Sequence, residues 1–333
     1  MKPIIFALLV IPVLILLSNE YVSASARNHV NVWNQQRVSD FYKLEENSLD
    51  ILFIGSSHSY CTFAPALIDK ALGTESFQLG MPLQYPDSTW FTLKEALKTQ
   101  SPSVVVMEVY WAVMDKDFDI KQADTLFEAY LDDEEFKNAY IDEIFPWNEK
   151  IKYLFPIIRY QQDFLTYQNK RLTDNVEAQL GVTQNKEKQT GVERYDYRGF
   201  MYCDYNIPQS KFGEGNQFNN FDGKNWSFSK VQLNYLEKII DVCDKNNICL
   251  IFATSPVAPV SMEKMRNYGA VHGAVSNFAQ KNKIPYLDFN TENQAKNLFE
   301  NKNFRDDAHL NYSGAEIACA YFADWVKTIV QFD

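Results

Sequence analysis

The sequence predicts an α/β fold: a doubly wound, mostly parallel five-stranded sheet with helices on both faces and a mixed insertion. Three observations predict it. Five short runs rich in Val, Ile, Leu and Phe are continuously apolar rather than alternating, the pattern of strands covered on both faces. Between them lie segments with apolar residues three and four apart, the spacing of amphipathic helices. The chain has 333 residues, 46% of them hydrophobic, enough to cover a sheet on both sides.

The elements follow in order. Asp50 to Ser56 reads as a buried first strand ended by Gly55. Pro65 to Leu72 is helical in character, with Pro at the first turn and Gly73 as the stop. Ser76 to Leu79 is a second strand, and Asp87 to Leu97 a helix through Trp90, Phe91, Leu93 and Leu97. SVVVMEVYW, 103–111, is a β-branched third strand. Val231 to Asn246 is an amphipathic helix, and ICLIFATSP, 248–256, a fourth strand. Met262 to Lys281 is a helix, IPYLDF, 284–289, a fifth strand, and Ser313 to Val330 a closing helix. The βαβ alternation makes the sheet parallel.

Residues 116–228 break this rhythm with a polar helical part, an aromatic stretch and a tract rich in Gly, Asn, Gln and Lys. They read as an insertion at the carboxyl edge of the sheet, where open α/β sheets bind ligands. Residues 27–333 then form one domain that carries this insertion.

At the N-terminus, Lys2 precedes an apolar run from Pro3 to Leu17, and Ala24-Ser25-Ala26 has the small-x-small pattern of a cleavage site. Residues 1–26 are expected to be a signal peptide or an uncleaved membrane anchor, which places the rest of the chain outside the cytoplasmic membrane. The formal charge of -11 argues against nucleic acid as a partner. Five cysteines without paired spacing argue against a disulfide framework and a zinc site, with a Cys243–Cys249 bridge as a minor alternative. No metal and no cofactor are expected.

There are four histidines, His29, His58, His272 and His309. His309 stands three residues after Asp306 in FRDDAHLNYSGAE, just before the last helix. Such a turn can bring a carboxylate onto the ring nitrogen of its own histidine, fixing the tautomer of a general base. Ser57, in ILFIGSSHSY, follows the first strand and is the candidate nucleophile. Taken singly, Gly-x-Ser is also a helix-capping turn, and Asp-x-x-His a surface loop before a cap at Asn311 or Ser313. Their combination at opposite ends of the chain, with few competing histidines, is the stronger signal.

These motifs resemble the SGNH/GDSL hydrolases over roughly 50–115 and 230–330. Gly55-Ser56-Ser57 resembles the first block, Gly80 in FQLGMP the second, and Asp306-x-x-His309 the fifth. The resemblance implies a flavodoxin-like sheet, a triad of Ser57, His309 and Asp306, and an oxyanion hole made by the N–H groups of Ser57 and Gly80. The third block departs from the pattern: after VVVMEVYW there is no Gly-x-Asn-Asp. Losing one oxyanion donor costs on the order of 10²–10³ in rate. Tyr110 and Trp111 are alternative donors at that strand end, or else aromatic packing under the insertion. His58, Tyr110 and Trp111 are the candidates for substrate contact. Glu108, in a buried strand, needs a partner and is expected to hold the active-site loop. His272 and His29 read as structural or incidental, and Arg198 and Arg159 as solvated residues or contacts to an anionic acceptor.

The first block, the missing asparagine and the export segment resemble one branch, the extracytoplasmic SGNH proteins that work with membrane-bound O-acyltransferases. That resemblance implies O-acyl transfer, acetyl foremost, to a cell-envelope polysaccharide, with a membrane-bound O-acyltransferase as donor partner. A secreted carbohydrate or lipid esterase and a catalytically inert glycan-binding assembly factor are the alternatives.

Overall fold

The computed structural model describes residues 10–18, 21, 32–130, 133–154, 158–159 and 191–332. Among them, no helix is long and apolar enough to cross a membrane. The expected export segment, 1–26, lies mostly outside the described residues, and His29 lies outside them too. The chain forms two compact units, Met1–Val32 with Leu131–Lys188, and Trp33–Tyr130 with Gln189–Asp333.

The larger unit carries the sheet. The elements that build the sheet and its site begin with α1 (Val32–Phe41), β1 (Ile51–Ile54), α2 (Ser57–Thr62), α3 (Pro65–Leu72), β2 (Ser76–Gln78), α4 (Pro86–Ala96) and β3 (Val104–Glu108), after which come two helices, Trp111–Met114 and Ile120–Ala129. A two-stranded antiparallel hairpin, β4 (Glu193–Tyr195) with β5 (Met201–Cys203), follows. Then come α5 (Lys230–Lys245), β6 (Cys249–Thr254), α6 (Tyr268–Lys281), β7 (Tyr286–Asp288), α7 (Phe289–Lys296) and α8 (Tyr312–Val326). The main sheet has the order β2-β1-β3-β6-β7 with every pair parallel. This is the flavodoxin-like doubly wound order, in which the crossover direction reverses between β1 and β3. The five expected strands are the five observed ones.

Burial explains the continuous apolar runs. Ile51, Phe53, Val104, Val106, Ile251 and Ala253 share a core with Ala315, Ala318, Phe322 and Val326 of α8. The opposite face is covered as well, and there Phe252 stacks on Phe278 of α6. The helices start and stop where local chemistry directs: Ser229 caps α5 through Gln232 N–H, and Gly73 ends α3 in the left-handed region at φ 74°. The expected helix 262–281 starts later than the sequence suggests. A short turn ends at Met262, and α6 starts only at Tyr268 because Asn267 is left-handed, at φ 55°. All five cysteines are free, so the Cys243–Cys249 alternative falls.

The smaller unit contains the helices Glu134–Ile144 and Trp147–Leu154. They are joined by ring packing of Phe145 with Tyr140 and Tyr153.

Candidate active site

The site is built at the carboxyl ends of β1 and β3, the switch point of the sheet. Gly55 leaves β1 with φ 130°, and a Cβ there would stand 2.8 Å from Glu108 Cβ on the neighbouring strand. Only glycine gives both that backbone conformation and that approach. Ser56 then caps α2, its hydroxyl oxygen accepting from His58 N–H at 3.2 Å. Ser57 is the first residue of the helix, its hydroxyl free of the cap.

From the other end of the chain, the loop before α8 folds back on itself through an isolated bridge between Phe304 and Leu310. Arg305 N–H donates to His309 C=O at 3.0 Å inside that bend. Asn311 caps α8, as one of the two expected caps, accepting from Gly314 N–H. The bend brings Asp306 and His309 together: Nδ1 lies 3.1 Å from each carboxylate oxygen. Asp306 Oδ1 also accepts the N–H groups of Ala308 and His309, both at 2.8 Å. A carboxylate only accepts, so Nδ1 carries the proton and Nε2 presents a lone pair. That lone pair faces Ser57 Oγ at 2.8 Å. Burial works to raise the Asp306 pKa, but His309 and the two N–H donors outweigh it and hold the carboxyl well below its usual range. Asp306 is therefore ionised wherever the imidazole works as a base.

The structure thus brings Ser57, His309 and Asp306 together in hydrogen-bonded sequence. It treats the expected oxyanion donors differently. Among the described residues Ser57 N–H, at the open end of α2, has no acceptor. Gly80 N–H instead donates to Gln78 Oε1 at 2.9 Å, and Gln78 also exchanges hydrogen bonds with Ser59. Gly80 can serve an oxyanion only when Gln78 releases it.

The segment at the end of β3, where no Gly-x-Asn-Asp follows, is given over to packing and to support of the Ser57 turn. Glu108 Oε2 accepts from Ser56 N–H and Ser56 Oγ–H, so this residue does hold the loop. Tyr110 stacks on His58 with ring centroids 4.1 Å apart, and His58 lies 4.5 Å from the His309 ring. His58, expected as a substrate contact, is only 3% exposed and is a buried buttress of the His309 ring. Trp111, expected as a substrate contact or donor, is 1% exposed and packs among Phe218, Phe221 and Tyr268. Its indole N–H has no partner among the described residues. Burial this deep removes Trp111 from any substrate.

Sequence reasoning missed two supports of the acid–base pair. Arg305 Nε lies 3.6 Å from Asp306 Oδ2, and its Nη1 pairs with Glu193 of the hairpin at 2.6 Å. Asp307 is 1% exposed and accepts from Gln217 N–H at 2.7 Å and from Lys211 Nζ at 3.3 Å. It thereby ties the 209–217 segment to the histidine loop. The run of Arg305, Asp306 and Asp307 was the available signal, since three charged residues on a buried loop require partners. Arg198 is not free for an acceptor: it pairs with Glu75 and donates to Ser76 C=O.

A serine–histidine–aspartate triad at the switch point of a doubly wound sheet is the class of site that fold and geometry define. A protein-family profile matches residues 216–331, which include β6, β7 and the Asp306–His309 loop. No curated protein matches the chain. Among solved structures, the chain is similar to a GDSL-like lipase from Bacteroides thetaiotaomicron, at 11% identity and a TM-score of 0.41, over 89% of this chain and 98% of that one. It is also similar to the acetyl xylan esterase AlAXEase, at 12% identity and a TM-score of 0.39, over 84% and 99%. A third is the acetyl xylan esterase Est2A from the rumen bacterium Butyrivibrio proteoclasticus, at 10% identity and a TM-score of 0.32, over 86% and 64%.

Proposed function

We propose that this chain is a serine acyl-transfer enzyme of SGNH type that acts outside the cytoplasmic membrane and moves an O-acyl group, acetyl foremost, onto a cell-envelope polysaccharide. The observation that carries the reading is the 2.8 Å contact of Ser57 Oγ with His309 Nε2, backed by Asp306. Ser57 Oγ attacks the ester carbonyl while Nε2 takes its proton, and Asp306 stabilises the imidazolium formed. The tetrahedral oxyanion is held by Ser57 N–H and by Gly80 N–H once Gln78 lets it go. Collapse expels the donor's oxygen, which leaves with the proton from His309, and Ser57 remains acylated. His309 then deprotonates a sugar hydroxyl, or water, which attacks the acyl-enzyme and frees Ser57.

The polymer acceptor and the membrane-bound O-acyltransferase partner are supported by the N-terminal segment, whose composition is that of an exported or anchored chain. Outside the membrane there is no acyl-CoA, so a serine transferase there takes its acyl group from a membrane partner. A catalytically inert glycan-binding factor is the second reading. The engagement of Gly80 N–H by Gln78, with no asparagine after β3, favours it.

A fluorophosphonate probe tests the chemistry, since only an activated serine is phosphonylated. The expected result is labelling at Ser57, lost in Ser57→Ala and His309→Ala, with acyl turnover falling by roughly 10³–10⁶. An unlabelled, folded protein overturns the enzyme reading in favour of the inert one. Rapid turnover of small acetyl esters with no transfer to glycan points to the secreted esterase.

A further inference from the structure

Behind the triad, at the end of β7, lies a second carboxylate–imidazole pair that the mechanism does not use. The Asp288 side chain is fully buried and its Oδ2 lies 2.7 Å from His272 Nδ1. It also accepts from Tyr268 Oη–H, at 3.1 and 3.0 Å to its two oxygens, and from Asn290 N–H at 2.9 Å. A buried carboxylate is tolerated only where it is well supplied with donors, so its place in the fold asks for a reason.

The bonds lead onward in two branches. Asn290 Nδ2 donates to Tyr268 Oη at 3.0 Å and to Ser255 C=O at 3.3 Å, and Ser255 Oγ–H donates to His58 C=O at 3.2 Å. In the other branch, Tyr286 Oη lies 3.3 Å from Asp288 Oδ2 and 2.9 Å from Thr254 Oγ1, which donates to Val109 C=O at 3.1 Å. The two branches end on the backbone carbonyl one residue after the nucleophile and on the one before Tyr110. The His58 ring stacks on Tyr110 and lies against the His309 ring.

We propose that Asp288, through Tyr268, Asn290 and Ser255, is the anchor of a positioning network that fixes the His58 carbonyl and with it the turn presenting Ser57 to His309. The inference rests on the reading of Ser57 as the nucleophile. The network supplies no reacting group; it limits how far α2 and the β3 terminus drift from the geometry at which Nε2 takes the Ser57 proton. A small misplacement is costly in rate because the attack requires alignment of the reacting atoms.

Asp288→Asn disturbs every donor at once and is prone to misfolding, so the test uses gentler changes. Tyr268→Phe removes only the hydroxyl between Asp288 and Asn290, and Ser255→Ala only the bond to His58. We expect each to slow fluorophosphonate labelling of Ser57 and kcat on p-nitrophenyl acetate by roughly 10-fold with KM little changed, measured at a temperature at which circular dichroism shows each variant fully folded. Because the two lie on one path, the double variant is expected to be slowed no more than about 10-fold, not 100-fold. Ser255→Thr, which restores a hydroxyl, is expected to recover most of the rate. Wild-type labelling rates in both folded single variants, or independent multiplying effects in the double, overturn the network while Ser57 stands as nucleophile. No labelling of the wild-type protein overturns the acyl-transfer reading and this inference with it.

Discussion

A single oxygen of Glu108 receives both the backbone N–H of Ser56, at 3.0 Å, and its hydroxyl, at 2.7 Å. That hydroxyl oxygen in turn accepts from His58 N–H, so one side chain on β3 fixes the cap of the helix that begins with Ser57. On the reading proposed above, Glu108 on β3 thus fixes the turn that presents the proposed nucleophile, Ser57.

Burial pushes the Glu108 carboxyl up to about 7, against the opposing pull of the Ser56 bonds. The folded state therefore keeps a proton that the unfolded chain gives up above its ordinary value of 4.5. Stability should fall as pH rises through the window between about 4.5 and 7, because the native state binds more protons there. Glu108→Gln keeps an acceptor for Ser56 and cannot ionise, so its melting temperature should change less across that window than the wild-type value. Calorimetry at several pH values checks this, and equal slopes would refute it. Glu108→Ala, which strands the Ser56 donors, should lower kcat by roughly 10–100-fold.

The sheet and the triad were legible for related reasons. Strands covered on both faces must be continuously apolar, so Ile51–Ile54, Val104–Glu108 and Cys249–Thr254 declare themselves. Asp306 and His309 are three residues apart on one loop, so their meeting depends on local geometry alone. What could not be read depends on contacts across the sheet. Gln78 gives no local sign that its side chain will occupy Gly80 N–H, and the position of His58 beside Ser57 does not reveal that its ring turns inward against His309. The β4–β5 hairpin has three-residue strands, too short for a period to show. Trp111 and Tyr110 are adjacent aromatics, and only the tertiary structure separates the one that packs from the one that stacks at the site.

Asp306 offers a test with the opposite sign. Its carboxyl lies well below the ordinary value of 3.8 in the folded protein, despite burial, because His309 and two N–H groups bond its charged form. The stability it contributes is present above that ordinary value and is lost as pH falls through the folded one. Asp306→Asn should therefore be less stable than wild type near neutrality, with the difference narrowing in acid. Its amide would present N–H to Nδ1, forcing the proton onto Nε2 and blocking proton transfer from Ser57. A loss in kcat of roughly 10⁴ is expected, with Ser57 still present but no longer labelled quickly. Denaturation series across acid pH, paired with labelling rates, measure both effects; a fully active asparagine variant would remove Asp306 from the mechanism.

The last expectation concerns the ring stack. His58 is held between Tyr110 and His309, and burial first, then the neighbouring His309, keeps its pKa well below 6.5. It is thus neutral, and in the proposed mechanism it supports the His309 ring without repelling the imidazolium formed there. An unfolded chain lets His58 take a proton below its ordinary value, so this residue makes the native state less stable as pH falls through 6.5. Phenylalanine fills the same slot and cannot titrate. His58→Phe should keep kcat within about tenfold and lose less stability in acid than wild type, whereas His58→Ala removes the ring and should cost roughly 10²-fold in kcat. If alanine and phenylalanine were equally slow, His58 would be acting through its nitrogens on substrate rather than through its ring on His309, and the buttress role would fail.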